Sequence, residues 1–252
     1  MTHIISPQNH RLKSLRRLQR RSERERTGRF LAEGEDLIAA AERAGRPALE
    51  GYRIAGSGLG GAEFHDVEPA ALATVSTLAS GTRVIGVYEQ RWSAPAGPLC
   101  LYLHGVGDPG NVGTVLRGAQ AFGAASVALG PGCADPHSPK AIRASMGAIF
   151  DVALARVSDL GALVGERIAL LAGAQEPLRG PARTLGPAAP VTLLIGAERE
   201  GLPTGVLEAC DRRARIPIAS DSLNAAMAAT VAMYEMTRQA ADAPASSRVR
   251  TS

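Results

Sequence analysis

The sequence contains no long apolar run and no regular arrangement of metal ligands. No segment approaches the roughly 18 uninterrupted apolar residues of a membrane-spanning helix, so we expect none. The first residues hold no apolar signal core, and secretion by that route is therefore not expected. The five histidines share no ligand spacing, which predicts that the protein has no metal site.

Cysteine is also scarce. The chain has three cysteines, an odd number, and none belongs to a C-x-x-C pair. This usage favours buried, reduced thiols at Cys100, Cys133 and Cys210 in a cytoplasmic protein. The rest of the composition, with 45% hydrophobic and 21% charged residues among 252, is ordinary for a soluble globular protein of one large or two modest domains.

Positive charge comes almost wholly from arginine and is concentrated near the N-terminus. Residues 1–30 contain nine basic and two acidic side chains, a net charge of +7, whereas the remainder carries −3 within an overall charge of +4. Leu12, Leu15 and Leu18 recur every three residues, which predicts a helix with a narrow apolar seam and an arginine-rich exposed face. A solvated face is one interpretation, and a phosphate-binding surface is the other.

The pattern along the chain predicts two α/β domains. The first ninety residues combine the basic helix, a helix over 35–44 and short strands near 51–55 and 83–88. A stretch rich in proline and alanine then interrupts the periodicity, and we place a linker there at 91–98. A second domain over 99–240 follows, and the tail at 241–252 lacks apolar anchors and is expected to be disordered.

The most informative segment is the turn that follows the apolar run 99–103. That run is bounded by Pro98 and Gly105 and is typical of a buried strand. Asp108 or Asn111 can cap a helix over 111–123, and Arg117 lies away from the apolar stripe of that helix. Functional groups commonly lie where such a strand ends, so the segment has the layout of a site.

Two further segments pair a strand with a polar turn. Residues 191–203 are a buried strand followed by a glycine turn that contains Glu198, and residues 216–235 are a short strand, a polar turn and an apolar-faced helix. Between the first segment and these two lies 138–148, which begins Ser-Pro-Lys and contains Arg143.

Strands and helices alternate throughout the second domain, which predicts a mostly parallel sheet covered on both faces. The expected strands lie at 99–104, 126–129, 152–155, 168–172, 191–195 and 214–218. The expected helices lie at 111–123, 138–148, 158–165, 203–210 and 222–239.

In order and spacing, these segments resemble the SpoU (TrmH-like) family of RNA ribose 2′-O-methyltransferases, of the SPOUT superfamily. The family motifs have the form N-x-G-x-x-x-R, G-x-E-x-x-G-[LM] and I-P-[MI]…S-L-N, and the match covers most of residues 99–238. The resemblance implies a parallel-sheet domain with a trefoil knot, S-adenosylmethionine as cofactor, and a homodimer whose subunits complete each other's sites. Residues 1–90 resemble, less specifically, the L30e-like substrate-binding domain of members that act on ribosomal RNA.

The resemblance also implies roles for individual residues. Arg117 would contact the RNA phosphate and help activate the ribose hydroxyl, and an arginine guanidinium, which is always protonated, is unsuitable as a proton acceptor. Asn111 would orient the target or simply cap its helix, and Glu198 would orient Arg117 or offset the sulfonium charge. Ser222 and Asn224 would contact the ribose or the cofactor.

The remaining candidates divide into cofactor and RNA contacts. Gly196, Ile216 and Leu223 match positions that hold S-adenosylmethionine in the family, with plain core packing as the alternative for the two aliphatic residues. The expected RNA contacts are basic: Arg11, Lys13, Arg17, Arg20, Arg24 and Arg143.

A nicotinamide site is the competing interpretation of the first motif. Gly105, Gly107 and Gly110 satisfy G-x-G-x-x-G after a strand. A dinucleotide fold also needs an acidic residue at the end of the second strand, where this chain has Leu-Gly-Pro-Gly at 129–132.

From the resemblance we expect methylation of a ribose 2′-hydroxyl in ribosomal RNA, a self-protecting resistance methylase being a special case. The alternatives are a transfer RNA substrate and a catalytically silent RNA-binding or ribosome-assembly protein on the same scaffold.

Overall fold

A computed structural model describes residues 2–61, 63–78, 80–179, 189–220 and 222–241. The expected disordered tail at 241–252 lies outside these residues except for Ala241. The chain forms two sheets, one built from residues 3–89 and the other from residues 99–214.

The first sheet has five strands in the order β1-β4-β3-β5-β2, with parallel pairing from β1 to β3 and antiparallel pairing beyond. Its strands are β1 (His3–Ile4), β2 (Arg29–Glu33), β3 (Glu50–Ile54), β4 (His65–Val67) and β5 (Val84–Glu89). Its helices are α1 (His10–Leu18), α2 (Arg21–Thr27), α3 (Glu35–Arg43) and α4 (Pro69–Ala73).

The second sheet has six parallel strands in the order β11-β9-β10-β6-β7-β8, as the alternation of elements predicts. The strands are β6 (Leu99–Leu103), β7 (Ser126–Leu129), β8 (Ala153–Arg156), β9 (Glu166–Leu170), β10 (Val191–Ile195) and β11 (Arg212–Ala214). The helices are α5 (Pro109–Ala121), α6 (Pro139–Ser145), α7 (Thr204–Glu208) and α8 (Ala225–Ala241).

Three expectations about local structure need correction. The basic segment expected as a single helix forms two helices. The first ends at Leu18 and the second begins at Arg21. The helix expected over 158–165 is only a 3₁₀ turn at Leu160–Ala162. The last strand is Arg212–Ala214 rather than 214–218, since Pro217 has no N–H to donate to a ladder. The trefoil knot stays a prediction, because residues 180–188, between β9 and β10, are outside the described part.

Helix α5 lies close to two neighbouring helices because it carries glycines on the faces it presents to them. A Cβ on Gly113 would lie 2.3 Å from the carbonyl oxygen of Ala141 in α6, and one on Gly118 would lie 2.7 Å from the Cε of Met233 in α8. These close approaches hold α5, and therefore the polar turn before it, against α6 and α8.

The two sheets share one hydrophobic core. Its buried members include Phe30 and Tyr88 from the first sheet and Phe150 from a 3₁₀ turn, Ala148–Phe150, of the second domain. The Tyr88 and Phe150 rings meet edge to face at 4.8 Å. Arg143 on α6 also donates a 2.9 Å hydrogen bond to the hydroxyl of Thr77 in the first domain. The two domains are thus packed as one body. In the described part of the chain, no helix has the length and apolarity needed to cross a membrane.

Candidate active site

The candidate site lies at the carboxyl edge of the six-stranded sheet, between β6 and β10. The chain runs outward from β6 through β7 to β8, and its remaining strands lie on the other side of β6. Ligands in α/β sheets commonly bind at such a reversal of strand order.

The turn after β6 has the helix start that the sequence predicts. The Asp108 carboxylate accepts a 3.0 Å hydrogen bond from the backbone N–H of Asn111, with Pro109 in the first turn of α5. Lys140 on α6 donates to the same carboxylate at 2.6 Å. The hydrogen bond from Lys140, and then the one from Asn111, lowers the pKa of Asp108. Asp108 is therefore the cap, which leaves the amide of Asn111 available for other contacts.

The three motifs meet through a triangle of side chains. Asn111 Nδ2 donates to Glu198 Oε1 at 2.9 Å, and Asn224 Nδ2 donates to Asn111 Oδ1 at 3.2 Å and also to Glu198 Oε1. Glu198 follows β10 and Asn224 precedes α8, so residues far apart in sequence converge at one carboxylate.

Asn224 also serves as the N-cap of α8. Its Oδ1 accepts hydrogen bonds from the backbone N–H groups of Ala226 at 2.9 Å and Met227 at 3.2 Å. The cap fixes the side-chain orientation in which Nδ2 is directed to Glu198.

A cleft of about 280 Å³ adjoins this triangle. Its lining includes all three expected cofactor contacts and two of the expected catalytic residues: Gly196, Ile216, Leu223, Glu198 and Ser222. Ser222 is exposed, and Ile216 and Leu223 are half-buried, so both aliphatic side chains present surface to the cleft while packing inward.

Gly196 is required by a close approach of the backbone. A Cβ on this residue would lie 2.2 Å from the carbonyl carbon of Gly201, and the chain between the two closes with a 2.9 Å hydrogen bond from Gly201 N–H to Ala197 O. The turn that contains Glu198 can fold back only because residue 196 has no side chain.

Arg117 lies apart from the cleft. It is exposed on α5 and makes no hydrogen bond or ion pair with another described residue. Both contacts to Glu198 come from asparagine, so orientation of Arg117 by Glu198 within the chain is not observed.

The expected RNA contacts are distributed over two kinds of environment. Lys13, Arg17 and Arg20 are exposed and form no side-chain hydrogen bond or ion pair within the described residues. Arg11 lies 3.5 Å from Glu50, and Arg143 is half-buried against Thr77. The exposed three are therefore the basic residues best placed to meet a phosphate.

Arg24 does not lie on that exposed face. Its side chain is 3% exposed, its Nη2 lies 2.7 Å from Asp135 Oδ2, and its Nη1 donates to the carbonyl oxygens of Leu18 and Gln19. The structure thus moves Arg24 from the expected RNA surface to the interface between the two domains. The break between α1 and α2 turns it inward.

Sequence reasoning also left two groups without a role. Lys140 pairs with Asp108 beside the site, and the sequence signal is the Ser138–Pro139 helix start that places Lys140 in the first turn of α6. Trp92 and Arg156 pack together at the other end of the same sheet edge. Within the described ranges, no cluster of three or more His, Cys, Asp or Glu side chains could hold a metal ion.

Comparison with known proteins identifies the family. The model for the SpoU rRNA Methylase family matches residues 98–234, more than half of the chain. The chain belongs to the SpoU family. A second model, for the MRM3-like substrate binding domain, matches residues 9–91 of this SpoU protein. The resemblance seen in the sequence motifs is confirmed, as is the α/β SPOUT fold with its N-terminal substrate-binding domain.

Relatives of this SpoU protein span nearly its whole length. An uncharacterized tRNA/rRNA methyltransferase of Synechocystis is 30% identical over 94% of this chain and 93% of its own. The 23S rRNA (guanosine(2553)-2′-O)-methyltransferase RlmP of Bacillus subtilis is 27% identical over 94% and 99%.

Two solved structures have the same fold over nearly the whole chain. The AdoMet-bound rRNA methyltransferase of Sinorhizobium meliloti superimposes with a TM-score of 0.82 at 29% identity, covering 94% of this chain and 98% of that one. The SpoU methyltransferase AviRb of Streptomyces viridochromogenes, in complex with AdoMet, gives 0.79 at 26% identity, covering 93% and 99%.

Proposed function

We propose that this protein transfers a methyl group from S-adenosylmethionine to a ribose 2′-hydroxyl of ribosomal RNA in the cytoplasm. The observation that carries the proposal is the convergence of Asn111 and Asn224 on the carboxylate of Glu198, which lines the cleft. Each of the three family motifs contributes one side chain to this contact. A protein that had lost catalysis would not need these three side chains to stay in contact. The ribosomal relatives and the substrate-binding domain support the choice of RNA.

The cleft fits the proposed cofactor. Its wall at Gly196 leaves main-chain groups exposed to a ligand, and Ile216 and Leu223 supply apolar surface for a flat ring. The carboxylates of Glu198 and Glu200 also line it together with one cation, Arg199, so the lining carries a net negative charge that complements a sulfonium. When bound, S-adenosylmethionine supplies an electrophilic methyl group on a positively charged sulfonium.

The residues of the chain perform positioning and electrostatic work. In-line methyl transfer needs an aligned, exposed oxygen nucleophile and no covalent intermediate. Asn111 and Asn224 hold the Glu198 carboxylate in one orientation at the margin of the cleft, and Ser222 offers a hydroxyl to the ribose or the cofactor. The ribose proton leaves through phosphate or water, since an arginine guanidinium is already protonated and has no lone pair to accept it.

Arg117 acts on the RNA phosphate in this proposal. Because it lies outside the cleft of its own chain, we propose that it reaches the site of a second subunit. Arg117→Ala should then abolish turnover in a radiolabel assay and leave the affinity for S-adenosylmethionine nearly intact. Substantial residual methylation would reject this role.

The dimer surface that we propose is the outer face of α8. Met227, Val231 and Tyr234 are 57%, 40% and 51% exposed and lie on one side of the helix, and the Tyr234 ring also contacts Phe122 beside α5. A single exposed apolar side chain is common on protein surfaces, whereas three that adjoin one another indicate a face that a partner covers. Sedimentation at micromolar concentration should give about twice the 26.1 kDa chain mass. A fully active monomer would reject both the dimer and the shared site.

Methylation mapping tests the activity itself. Ribosomal and transfer RNA from a deletion strain would be incubated with the purified protein and labelled S-adenosylmethionine, and ribose methylation would be located by mass spectrometry. We expect one ribose methylation in ribosomal RNA that is absent from the deletion strain and restored by the protein. Modification of transfer RNA alone would change the substrate, and no modification of either RNA, despite cofactor binding, would favour the silent scaffold.

A further inference from the structure

A second cleft opens at the same edge of the six-stranded sheet, beyond β6. It has a volume of about 270 Å³ and lies at the ends of β7 and β8, where the two domains meet. Its lining combines one aromatic ring, two arginines and the end of β7 with the loop that follows it: Trp92, Arg156, Arg21 and residues 129–131 and 133–136. None of the sequence motifs contributes to it.

The aromatic ring and one arginine of this cleft are stacked. The guanidinium carbon of Arg156 lies 4.1 Å from the centre of the Trp92 ring, and Trp92 is half-buried with one edge against His137 at 5.3 Å. Arg156 forms no hydrogen bond or ion pair with another side chain in the described residues. A planar guanidinium held flat on an indole extends a stacking platform for a further flat group.

The charge of the cleft is positive. Arg21 and Arg156 contribute two cations, and the acidic side chain in the lining, Asp135, is already paired with the buried Arg24. Arg21 also forms an ion pair with Glu25 at the exposed rim of the cleft. A ligand that combines a flat ring with a negative charge fits this surface, and a nucleotide has both.

The cleft is joined to the proposed active site by one short segment. Gly105 N–H donates to Pro131 O at 2.9 Å on the side of this cleft, and Gly105 lies close to Ala197 on the side of the active site. The two clefts therefore flank the same turn after β6. A ligand chain that occupies one of them is within reach of the other.

We propose that the Trp92–Arg156 cleft binds a nucleotide of the RNA substrate that neighbours the methylated one, with its base stacked on the Trp92–Arg156 platform and a phosphate facing Arg21. Single-stranded RNA is recognised by such stacking on aromatic rings and guanidinium planes. The inference rests on the proposed RNA substrate and assigns it a second binding cleft.

Trp92 is the only tryptophan of the chain, so intrinsic tryptophan fluorescence reports the surroundings of this one side chain, and the Arg156 variant assigns a change to this cleft. Titration with a fragment of ribosomal RNA that the protein methylates should change Trp92 emission saturably, and added S-adenosylhomocysteine should leave that change in place. Arg156→Ala should raise the KM for RNA about tenfold with kcat and cofactor affinity nearly unchanged, which is the order of magnitude of one base stacked on a side chain.

Two variants make the test specific. Trp92→Phe keeps a stacking ring and should retain RNA affinity in a filter-binding assay, whereas Trp92→Leu should lose about as much as Arg156→Ala. Arg213→Ala removes an exposed arginine from β11, at the opposite edge of the sheet, and should bind RNA as the wild type does. Circular dichroism and thermal unfolding establish that each variant is folded.

The outcomes separate this inference from the function on which it rests. If RNA is methylated but Trp92 emission does not change, or if Arg156→Ala behaves as Arg213→Ala, the cleft does not touch RNA and the inference is overturned. If nucleoside monophosphates change the emission while Arg156→Ala leaves RNA affinity intact, the cleft binds a free nucleotide, which also overturns it. Absence of methylation of any RNA would instead overturn the proposed function.

Discussion

Asn224 connects the start of α8 to Glu198, because its oxygen caps the helix while its nitrogen donates to the carboxylate. Replacement by alanine should remove both interactions. We expect Asn224→Ala to lower the free energy of unfolding by about 1 kcal/mol, the usual value of an N-cap. Methyl transfer should fall about 10- to 100-fold, as expected when a hydrogen bond to a charged group is removed.

The two interactions of Asn224 can be separated with Asn224→Ser. Serine still caps the helix, and its shorter side chain does not reach Glu198. Thermal unfolding should therefore show a smaller loss of stability than in Asn224→Ala, with methyl transfer equally low. Activity close to that of the wild type in Asn224→Ser would mean that the bond to Glu198 is dispensable.

Gly196 offers a test of the cofactor cleft. Gly196→Ala places a methyl group 2.2 Å from the Gly201 carbonyl carbon and must shift the wall of the cleft. We expect the affinity for S-adenosylmethionine to fall about tenfold or more in calorimetric titrations, within the cost of overpacking. Gly205→Ala, where no atom lies within 4 Å of the new methyl group, is the matched control and should bind normally.

The buried pair of Arg24 and Asp135 should contribute to stability rather than to RNA binding. Arg24→Met leaves the carboxylate buried without its partner and should cost about 3–5 kcal/mol in urea unfolding. Arg20→Met, on the exposed neighbour, is the control and should cost little. Equal effects of the two substitutions would contradict the buried pairing.

His137 makes the fold sensitive to acid. Burial lowers its pKa from 6.5 to about 4, with the nearby arginines acting in the same direction and Asp135 against it. Between these two pH values the unfolded chain binds a proton that the folded chain excludes, so stability falls as the pH drops through this range. Wild type should lose about 3 kcal/mol more than His137→Gln between pH 7 and pH 4. An equal loss in both proteins would show that another group is responsible.

The basic surface of α1 and the turn after it should determine the salt dependence of RNA binding. Deletion of residues 1–30 would also remove Leu12, Leu15 and Leu18 from the core, so point substitutions are needed. A variant that combines Lys13→Ser, Arg17→Ser and Arg20→Ser should have a flatter slope of log affinity against log salt concentration. The slope should change by about 0.9 for each duplex phosphate that the protein no longer neutralises. An unchanged slope, matching that of Arg213→Ser, would mean that these residues do not contact RNA and form only a solvated face.

The features that the sequence predicted are those determined by local chemistry. The apolar run of β6, the Asp108 cap and the apolar stripe of α5 are adjacent in sequence, so their pattern was sufficient to predict this strand, turn and helix. The motif residues Gly196, Glu198 and Asn224 were recognised by resemblance, and the structure brings them to one edge of the sheet.

The failures arose where the outcome depends on interactions between distant segments or on a local competitor. In the helix expected over 158–165, the Asp159 carboxylate bonds to Gly161 N–H, and the chain turns at Gly165 with a φ of +65°. Arg24 was misplaced because its partner lies 111 residues away and no periodicity reports it. The stacking of Trp92 with Arg156 could not be predicted for the same reason.

Packing of the two sheets into one body has a consequence for how a substrate is selected. The contacts of Arg24 with Asp135, Arg143 with Thr77 and Tyr88 with Phe150 hold the basic helix α1 and the cleft at Gly196 at a constant separation. An RNA that touches both must therefore present its recognition element and its target ribose at one span. Inserted nucleotides that lengthen that span should cause the RNA to be refused, rather than methylated at a neighbouring position.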